Sequence, residues 1–193
     1  MSQTSFDIQQ AAVIGAGTMG RGIVMCLANA GIAVQWVDNN PQMLEQALAT
    51  VADTYAHNVR QGRIDQVEAD ARLARISAAA DYPAIRNVDL VIEAVYENLE
   101  LKQKIFRELD GLLKPEALLA SNTSALDIDA IAAATRRPSQ VLGLHFFSPA
   151  HIMKLLEIVR GAQTSPPALE AALALGKRMG KVSVVSGNCH GFI

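Results

Sequence analysis

The stretch Ala11-Ala-Val-Ile-Gly-Ala-Gly-Thr-Met-Gly20 joins a short apolar run to a glycine-rich turn, and it decides the fold. The run predicts a buried strand over residues 11–14, and the apolar spacing after the turn predicts a helix that reaches about Ala30 and stops at Gly31. A Gly-x-Gly-x-x-Gly turn between a strand and a helix is typical of the first βα unit of a Rossmann-type sheet. Because the motif alone is a weak signal, the residues around it have to support it.

Apolar runs rich in Val, Ile and Leu alternate with helical segments along the rest of the chain. This alternation predicts one α/β domain over residues 1–193, with a mostly parallel sheet that is covered by helices on both faces. The predicted strands are residues 11–14, 33–37, 76–80, 90–95, 118–121, 141–146, 155–159 and 182–185.

Three further helices are predicted between these strands. The first has Asn40 as its cap and Pro41 in its first turn, and it ends near Gly62. The second is expected to lie on the sheet with one apolar face, formed by Leu101, Ile105, Leu109 and Leu112. The third follows a loop over residues 163–167.

The glycine turn and the end of the second strand together predict an NAD site. Gly15 permits the tight turn, Gly17 lets the backbone approach a pyrophosphate, and Gly20 lets the helix pack against the strand. Thr18 and Met19 complete the turn that we expect to contact the cofactor. The N–H groups at the start of the helix would face the phosphates.

Asp38 ends the second strand about 20 residues after the glycines, where the dinucleotide fingerprint has an acidic residue. Its carboxylate is expected to accept hydrogen bonds from the adenosine ribose and to repel a 2′-phosphate. No Arg follows it, so NAD is favoured over NADP. The alternative is a glycine-rich turn that serves packing alone, which leaves the position of Asp38 as a coincidence.

Composition excludes several other classes of protein. The formal net charge is −2, and no basic stripe is present that would bind nucleic acid. No run approaches the roughly 18 apolar residues of a membrane span. Cys26 and Cys189 are far apart and lack the spacing of a metal site, so we expect no metal and a reducing compartment.

His145 and Glu157 are candidate catalytic residues. His145 lies at the end of an apolar strand, and ligands of open α/β sheets bind beyond the carboxyl ends of strands. An imidazole there could accept the proton that an alcohol loses on oxidation. Glu157 lies within a second apolar run, where a carboxylate needs a partner. A structural salt link between the two is the alternative.

Five ordered motifs resemble the L-3-hydroxyacyl-CoA dehydrogenases of fatty-acid β-oxidation, over nearly the whole chain. The details are most similar to the dehydrogenase part of the bifunctional enoyl-CoA hydratase/3-hydroxyacyl-CoA dehydrogenases, including the peroxisomal kind. The motifs are Gly15-Ala-Gly-Thr-Met-Gly20, Glu93-Ala-Val-Tyr-Glu97-Asn98, Ser121-Asn-Thr-Ser124, His145-Phe-Phe-Ser-Pro-Ala-His151 and Gly187-Asn-Cys-His-Gly-Phe-Ile193.

The resemblance implies roles for individual residues. His145 would be the catalytic base and Glu157 its orienting partner, while Ser124 would hydrogen-bond the reacting oxygen. The cofactor side would include Asn122, Glu97 and Lys102, and Glu93 would be structural. Turn or capping residues are the alternative for Ser124 and Asn122, and an exposed helix start is the alternative for Glu97 and Lys102. Ser148 replaces an Asn of many relatives at a substrate contact, although the bifunctional members share the Ser.

The resemblance also implies an acyl-CoA thioester substrate and a longer protein. The family continues into a helical domain that closes over the acyl chain and forms a homodimer, so we expect this chain to be truncated before it and weakly active or inactive alone. Arg60 and Arg63 fall on a polar arm that either meets CoA phosphates or is a solvated face. The expected compartment is the cytoplasm, or the peroxisome for a eukaryotic source. Alternative functions are dehydrogenation of a free hydroxy acid or sugar acid, and non-catalytic NAD binding.

Overall fold

The structure is a computed structural model that describes residues 6–189 and 191–192. The strands are β1 (Gln10–Ile14), β2 (Ala33–Val37), β3 (Ile76–Ala78), β4 (Leu90–Glu93), β5 (Leu118–Ser121), β6 (Val141–Phe146), β7 (Leu155–Arg160) and β8 (Val182–Gly187). The helices are α1 (Thr18–Asn29), α2 (Pro41–Arg60), α3 (Gln66–Leu73), α4 (Leu99–Leu112), α5 (Ile128–Ala132) and α6 (Pro166–Arg178).

The strands form one sheet in the order β3-β2-β1-β4-β5-β6-β7-β8. All neighbouring pairs are parallel except β6 and β7, which are antiparallel. The strand order reverses direction between β1 and β4, which is where open α/β sheets form their binding crevice. The predicted fold, a mostly parallel Rossmann-type sheet with helices on both faces, is confirmed.

Helices cover both faces because the central strands are apolar on both sides. In β1, Ala11 and Val13 pack into a core beneath α1, α2 and α6, while Ala12 and Ile14 pack into a second core beneath α4 and α5. Within the described residues, no helix is both long enough and apolar enough to span a bilayer.

The start of α2 has the expected cap. The Asn40 side chain accepts hydrogen bonds from the N–H groups of Gln42 and Met43, and Pro41 occupies the first helical position. Gly62 follows the end of the helix with a φ of +67°, in the left-handed region that favours glycine.

Two predicted strands are shorter in the structure, and one predicted core residue lies elsewhere. β4 ends at Glu93 rather than at residue 95, because the Glu93 carboxylate accepts the Val95 N–H at 2.7 Å and turns the chain out of the sheet. β3 ends at Ala78 rather than at residue 80. Leu101 was predicted to face the sheet but is 38% exposed, because it lines an open cleft at the start of α4.

An ion cluster around Asp110 ties the end of α4 to the segment that enters β6. The carboxylate accepts hydrogen bonds from Nε of Arg136 and Nε of Arg137, both at 2.8 Å, and Arg137 also donates to the carbonyl of Lys114 at 2.7 Å. Burial raises the pKa of Asp110, but the two arginines outweigh burial and hold the pKa below its ordinary value.

We expect Asp110→Asn to lower the free energy of unfolding at neutral pH by about 1–3 kcal/mol, since charge-assisted hydrogen bonds are lost. The pKa of Asp110 is lower in the folded state than in the unfolded chain, where it is about 3.9. Its stabilisation is therefore present above that value and is lost as the pH falls through the folded pKa. Urea denaturation at several pH values should show the difference between variant and wild type narrowing in acid.

The control for this prediction is Asp53→Asn, at an exposed position on α2, which should leave stability unchanged. A stability difference for Asp110→Asn that is the same in acid and at neutral pH would contradict the role given to its charge.

Candidate active site

Parallel pairing brings four loops to one edge of the sheet. The glycine turn after β1, the segment after β4, the segment after β5 and the end of β6 all lie at the carboxyl ends of mutually parallel strands. His145 is near the end of β6 and Asp38 follows β2, so the structure places both on this edge. The candidate residues therefore share one side of the molecule.

Of the three glycines in the turn, Gly15 and Gly20 have no room for a side chain, whereas Gly17 faces open space. Gly15 has a φ of +108°, and a Cβ there would lie 2.6 Å from the Ala94 carbonyl oxygen. A Cβ on Gly20 would lie 1.9 Å from the Gly15 carbonyl oxygen, so its close contact is with the turn itself at the end of β1. Gly17 precedes α1 and has open space where its Cβ would be.

A cleft of about 730 Å³ opens in front of the glycine turn. Thr18, Met19 and Asp38 line it on the side of β1 and β2, and Tyr96 and Leu101 line it on the side of β4 and α4. The start of α1 has no side-chain cap, so its first N–H groups are available at the cleft.

Asp38 is bound to the backbone through both carboxylate oxygens. One oxygen accepts the Ala16 N–H at 2.7 Å, and the other accepts the Asn40 N–H at 2.8 Å. Asp38 is partly exposed in the wall of the cleft, and a carboxylate oxygen can accept more than one hydrogen bond. It can therefore hold the turn and still accept a hydrogen bond from a ligand.

Lys102 is not an exposed residue at a helix start. Its side chain is 0% exposed, and its ammonium donates to both oxygens of Glu93, at 2.7 and 2.9 Å. The Glu93 carboxylate also accepts from the Ser121 hydroxyl at 2.6 Å. The alternative of a solvated Lys102 was wrong, because this ammonium is needed inside the protein to neutralise Glu93.

Glu93 was assigned only a structural role from the sequence, and its need for a charged partner was missed. A glutamate within the apolar strand over residues 90–93 needs a charged partner when the strand is buried. The same argument was applied to Glu157, and it could have identified Glu93 as well.

Glu97 connects this buried pair to the segment after β5. Its carboxylate lies 3.5 Å from the Lys102 ammonium and accepts hydrogen bonds from the Thr123 hydroxyl and, at 3.1 Å, from the Ser124 N–H. Burial raises the pKa of Glu97, but Thr123, Lys102 and Ser124 together hold the pKa below its ordinary value. Thr123 was also missed from sequence; it lies between two predicted site residues.

Asn122 connects the segment after β5 to β6. Its side-chain oxygen accepts the Phe146 N–H at 2.9 Å, next to His145. Ser124 is exposed at the same edge, and Ser148 is exposed in the loop that follows β6. Glu97, Asn122 and Ser124 are thus held in one network that reaches the strand of His145.

His145 and Glu157 form a cross-strand pair. The antiparallel register of β6 and β7 places them directly opposite each other, and Nδ1 of the imidazole lies 2.5 Å from Oε2 of Glu157. The Glu157 side chain is 3% exposed and that of His145 is 16% exposed. A carboxylate can only accept, so Nδ1–H donates to an ionised Glu157 and leaves Nε2 as the basic ring nitrogen. The Phe147 ring packs against the imidazole, with 4.6 Å between ring centroids.

His57, His151 and the arginines of the polar arm lie outside this network. His57 is exposed on α2, His151 is half-buried in the loop before β7, and His190 lies outside the described residues. Arg60 ends α2, and Arg63 is exposed just after it. In the part of the chain that the structure describes, no cluster of three or more His, Cys, Asp or Glu side chains is arranged to hold a metal ion.

Comparison with known proteins shows which family model the chain matches. Residues 10–189 match the family model described as "3-hydroxyacyl-CoA dehydrogenase, NAD binding domain". The chain is 50% identical over 194 residues to the peroxisomal bifunctional enzyme of Danio rerio, covering 97% of this chain and 25% of that protein. It is 37% identical to the fatty acid oxidation complex subunit alpha of Pseudomonas putida, covering 99% of this chain and 27% of that protein.

A solved structure of a related protein has the same fold. The 3-hydroxybutyryl-CoA dehydrogenase of Escherichia coli superposes with a TM-score of 0.95 at 37% identity, over 97% of this chain and 40% of that one. The chain thus spans about a quarter of the length of the curated relatives named above.

We expect Lys102→Met to lower the free energy of unfolding by about 3–5 kcal/mol, because it leaves the Glu93 carboxylate buried without its counter-charge. Urea denaturation measures this loss. Lys104→Met, two residues along α4 at an exposed position, is the matched control and should change stability by less than about 0.5 kcal/mol.

A double variant with Glu93→Gln and Lys102→Met should regain part of the lost stability, since both buried charges are then absent. Equal effects of Lys102→Met and Lys104→Met would contradict the buried ion pair.

Proposed function

The chain belongs to the 3-hydroxyacyl-CoA dehydrogenase family as its NAD-binding domain, and we propose that it supplies the cofactor site and the catalytic base for oxidation of L-3-hydroxyacyl-CoA to 3-ketoacyl-CoA. The observation that carries this proposal is the hydrogen-bonded pair of His145 and Glu157, at the same sheet edge as the glycine turn. A base that is oriented by a buried carboxylate suits the removal of a proton from an alcohol.

The shape of the cleft and the backbone N–H donors at its edge suit a dinucleotide. Gly15, Gly17 and Gly20 let the backbone form an open turn, and the uncapped start of α1 offers N–H groups to a pyrophosphate. Thr18 and Met19 line the same cleft, and Asp38 would accept hydrogen bonds from the adenosine ribose. NAD, when bound, supplies the hydride acceptor.

In the proposed reaction, Nε2 of His145 takes the proton of the 3-hydroxyl while the substrate carbon loses its hydride. Glu157 keeps Nδ1 protonated and stabilises the imidazolium that results. The 2.5 Å contact between Nδ1 and Oε2 supports this assignment, because a hydrogen bond there orients the ring and favours the tautomer with its proton on Nδ1. Close packing of Phe147 against the imidazole further limits its rotation.

Neighbouring residues would orient the reactants. We place the Ser124 hydroxyl as a donor to the reacting oxygen and Ser148 as a further contact to the substrate. Asn122 and Glu97 would lie beside the nicotinamide and its ribose. Lys102 is buried against Glu93 and 3.5 Å from Glu97, so it would act on the cofactor through Glu97 rather than by direct contact.

The proposals for the substrate, the assembly and the compartment are supported by the longer relatives. We propose that residues 1–193 act as one NAD-binding domain, and that acyl-chain selection and homodimer formation need parts of the relatives that this chain does not span. An acyl-CoA thioester is the proposed substrate class. The cytoplasm is the proposed compartment, with the peroxisome, named for several relatives, as the alternative.

His145→Gln should lower kcat by about 100-fold or more, because the residue that accepts the proton on oxidation, and donates it to the ketone oxygen in the reductive direction of the assay, is lost, while the affinity for NADH stays near that of the wild type. The measurement is NADH oxidation with acetoacetyl-CoA in the full-length gene product. His57→Gln, exposed on α2, is the control and should retain full activity. Equal activity of His145→Gln and wild type would remove His145 from the mechanism, and faster turnover of free hydroxy acids would redirect the substrate assignment.

Asp38→Asn should shift cofactor preference toward NADP, because it removes the charge that repels a 2′-phosphate and keeps an acceptor oxygen for the backbone. The measurement is the ratio of the Kd values for NADPH and NADH, titrated by cofactor fluorescence with this chain. Asp53→Asn serves as a charge-matched control on the exposed side of α2. An unchanged ratio would count against the placement of the ribose at Asp38.

A further inference from the structure

Side chains from β2 and the residue after it hold both ends of the peptide unit that joins Gly15 to Ala16. The Trp36 indole N–H donates to the Gly15 carbonyl at 2.9 Å, and Asp38 accepts from the Ala16 N–H at 2.7 Å. Between them, the Val37 carbonyl accepts from the Gly15 N–H, which belongs to the preceding peptide unit, at 2.8 Å. Trp36 and Asp38 therefore fix the orientation of the peptide plane between Gly15 and Ala16, and Val37 holds the one before it.

The Gly15 carbonyl has little space for any other donor. A Cβ on Gly20 would lie 1.9 Å from this oxygen and 3.7 Å from the indole nitrogen of Trp36, so the oxygen is enclosed between α1 and the ring. Trp36 is 0% exposed. A buried carbonyl that lacks a donor destabilises the conformation that buries it. The indole N–H thus favours the one orientation of the turn in which the Gly15 oxygen points inward.

We propose that Trp36 is a positioning residue for dinucleotide binding. Its N–H keeps the Gly15 carbonyl turned into the protein, and the turn then directs the N–H groups at the start of α1 into the cleft, toward the pyrophosphate. This inference rests on the proposed function, because it places the pyrophosphate of the cofactor at the glycine turn. The competing explanation is that Trp36 only fills the core between the sheet and α1.

The test removes the indole N–H and keeps the ring. Trp36 is the only tryptophan in the chain, so replacing tryptophan with 3-benzothienylalanine during expression changes this residue alone. The analogue has the shape of tryptophan, with sulfur in place of the N–H. We expect the Kd for NADH, measured by fluorescence titration, to rise about tenfold, which is about 1.4 kcal/mol. The Ala16 amide should also exchange its hydrogen faster, as measured by NMR.

Trp36→Phe is the second variant, and it should weaken NADH binding at least as much. Tyr55→Phe is the matched control, because Tyr55 is an equally buried aromatic residue whose hydroxyl donates to Asn29 at 2.8 Å, away from the turn. It removes one buried hydrogen bond and should leave the NADH affinity within about twofold of the wild type, whatever its effect on Tm.

The outcomes separate this inference from the proposed function. If the wild type binds NADH and the analogue binds it equally well, Trp36 only fills the core and the inference is overturned. If Tyr55→Phe weakens NADH binding as much as Trp36→Phe, the effect is general destabilisation, and the inference is again overturned. A wild-type chain that does not bind NADH would contradict the proposed function itself, and this inference with it.

Discussion

Parallel pairing of neighbouring strands is the constraint on which the rest of the structure depends. From β1 to β6 every strand runs in the same direction, so every chain segment that leaves the sheet at its carboxyl end does so on one edge. Residues that are more than a hundred positions apart in sequence, such as Asp38 and His145, lie on that edge without any direct contact between them. The helices contribute mainly by covering the two faces, which keeps the strands in register.

The same edge also holds charges that would be unfavourable in isolation. Glu93, Lys102 and Glu157 are almost completely buried, and each has a charged or ionisable partner within hydrogen-bonding distance. Burial of single charges is costly, so these residues stabilise the fold only as pairs. These buried pairs set the orientation of neighbouring side chains. Glu157 aligns an imidazole, and the pair of Glu93 and Lys102 sets the position of Glu97, which in turn binds the backbone of Ser124.

The sequence was sufficient for features that depend on local pattern. All eight strands and the cap at Asn40 were predictable, because alternation of apolar runs and a cap before Pro41 act over a few residues. The pair of His145 and Glu157 was predictable as well, since a carboxylate within an apolar strand demands a partner. The sequence did not reveal which partners the buried Glu93 selects. Lys102 lies nine residues from Glu93, and Ser121 lies 28 residues from it, and only the packing of α4 and β5 against β4 brings them together.

The prediction that Leu101 faces the sheet was wrong for a related reason. Periodicity shows which face of a helix is apolar, but it does not show which part of that face borders an open cleft, as Leu101 does. The hydrogen bond from Trp36 to Gly15 likewise depends on how closely α1 approaches β1, which only the three-dimensional structure defines.

The antiparallel register between β6 and β7 has a consequence for how such a chain can change in length. Successive side chains of a strand point to opposite faces, so one residue inserted or deleted between Leu155 and Glu157 would turn the carboxylate away from the imidazole and direct it to the other side of the sheet. The loop between the two strands is restricted in another way, because Ala150 is buried against Gly22 of α1 and the Lys181 ammonium donates to the carbonyls of Ala150 and Met153. A change of length there would have to preserve these contacts, whereas a one-residue change in the first half of β7 would reverse the side chain that faces the imidazole.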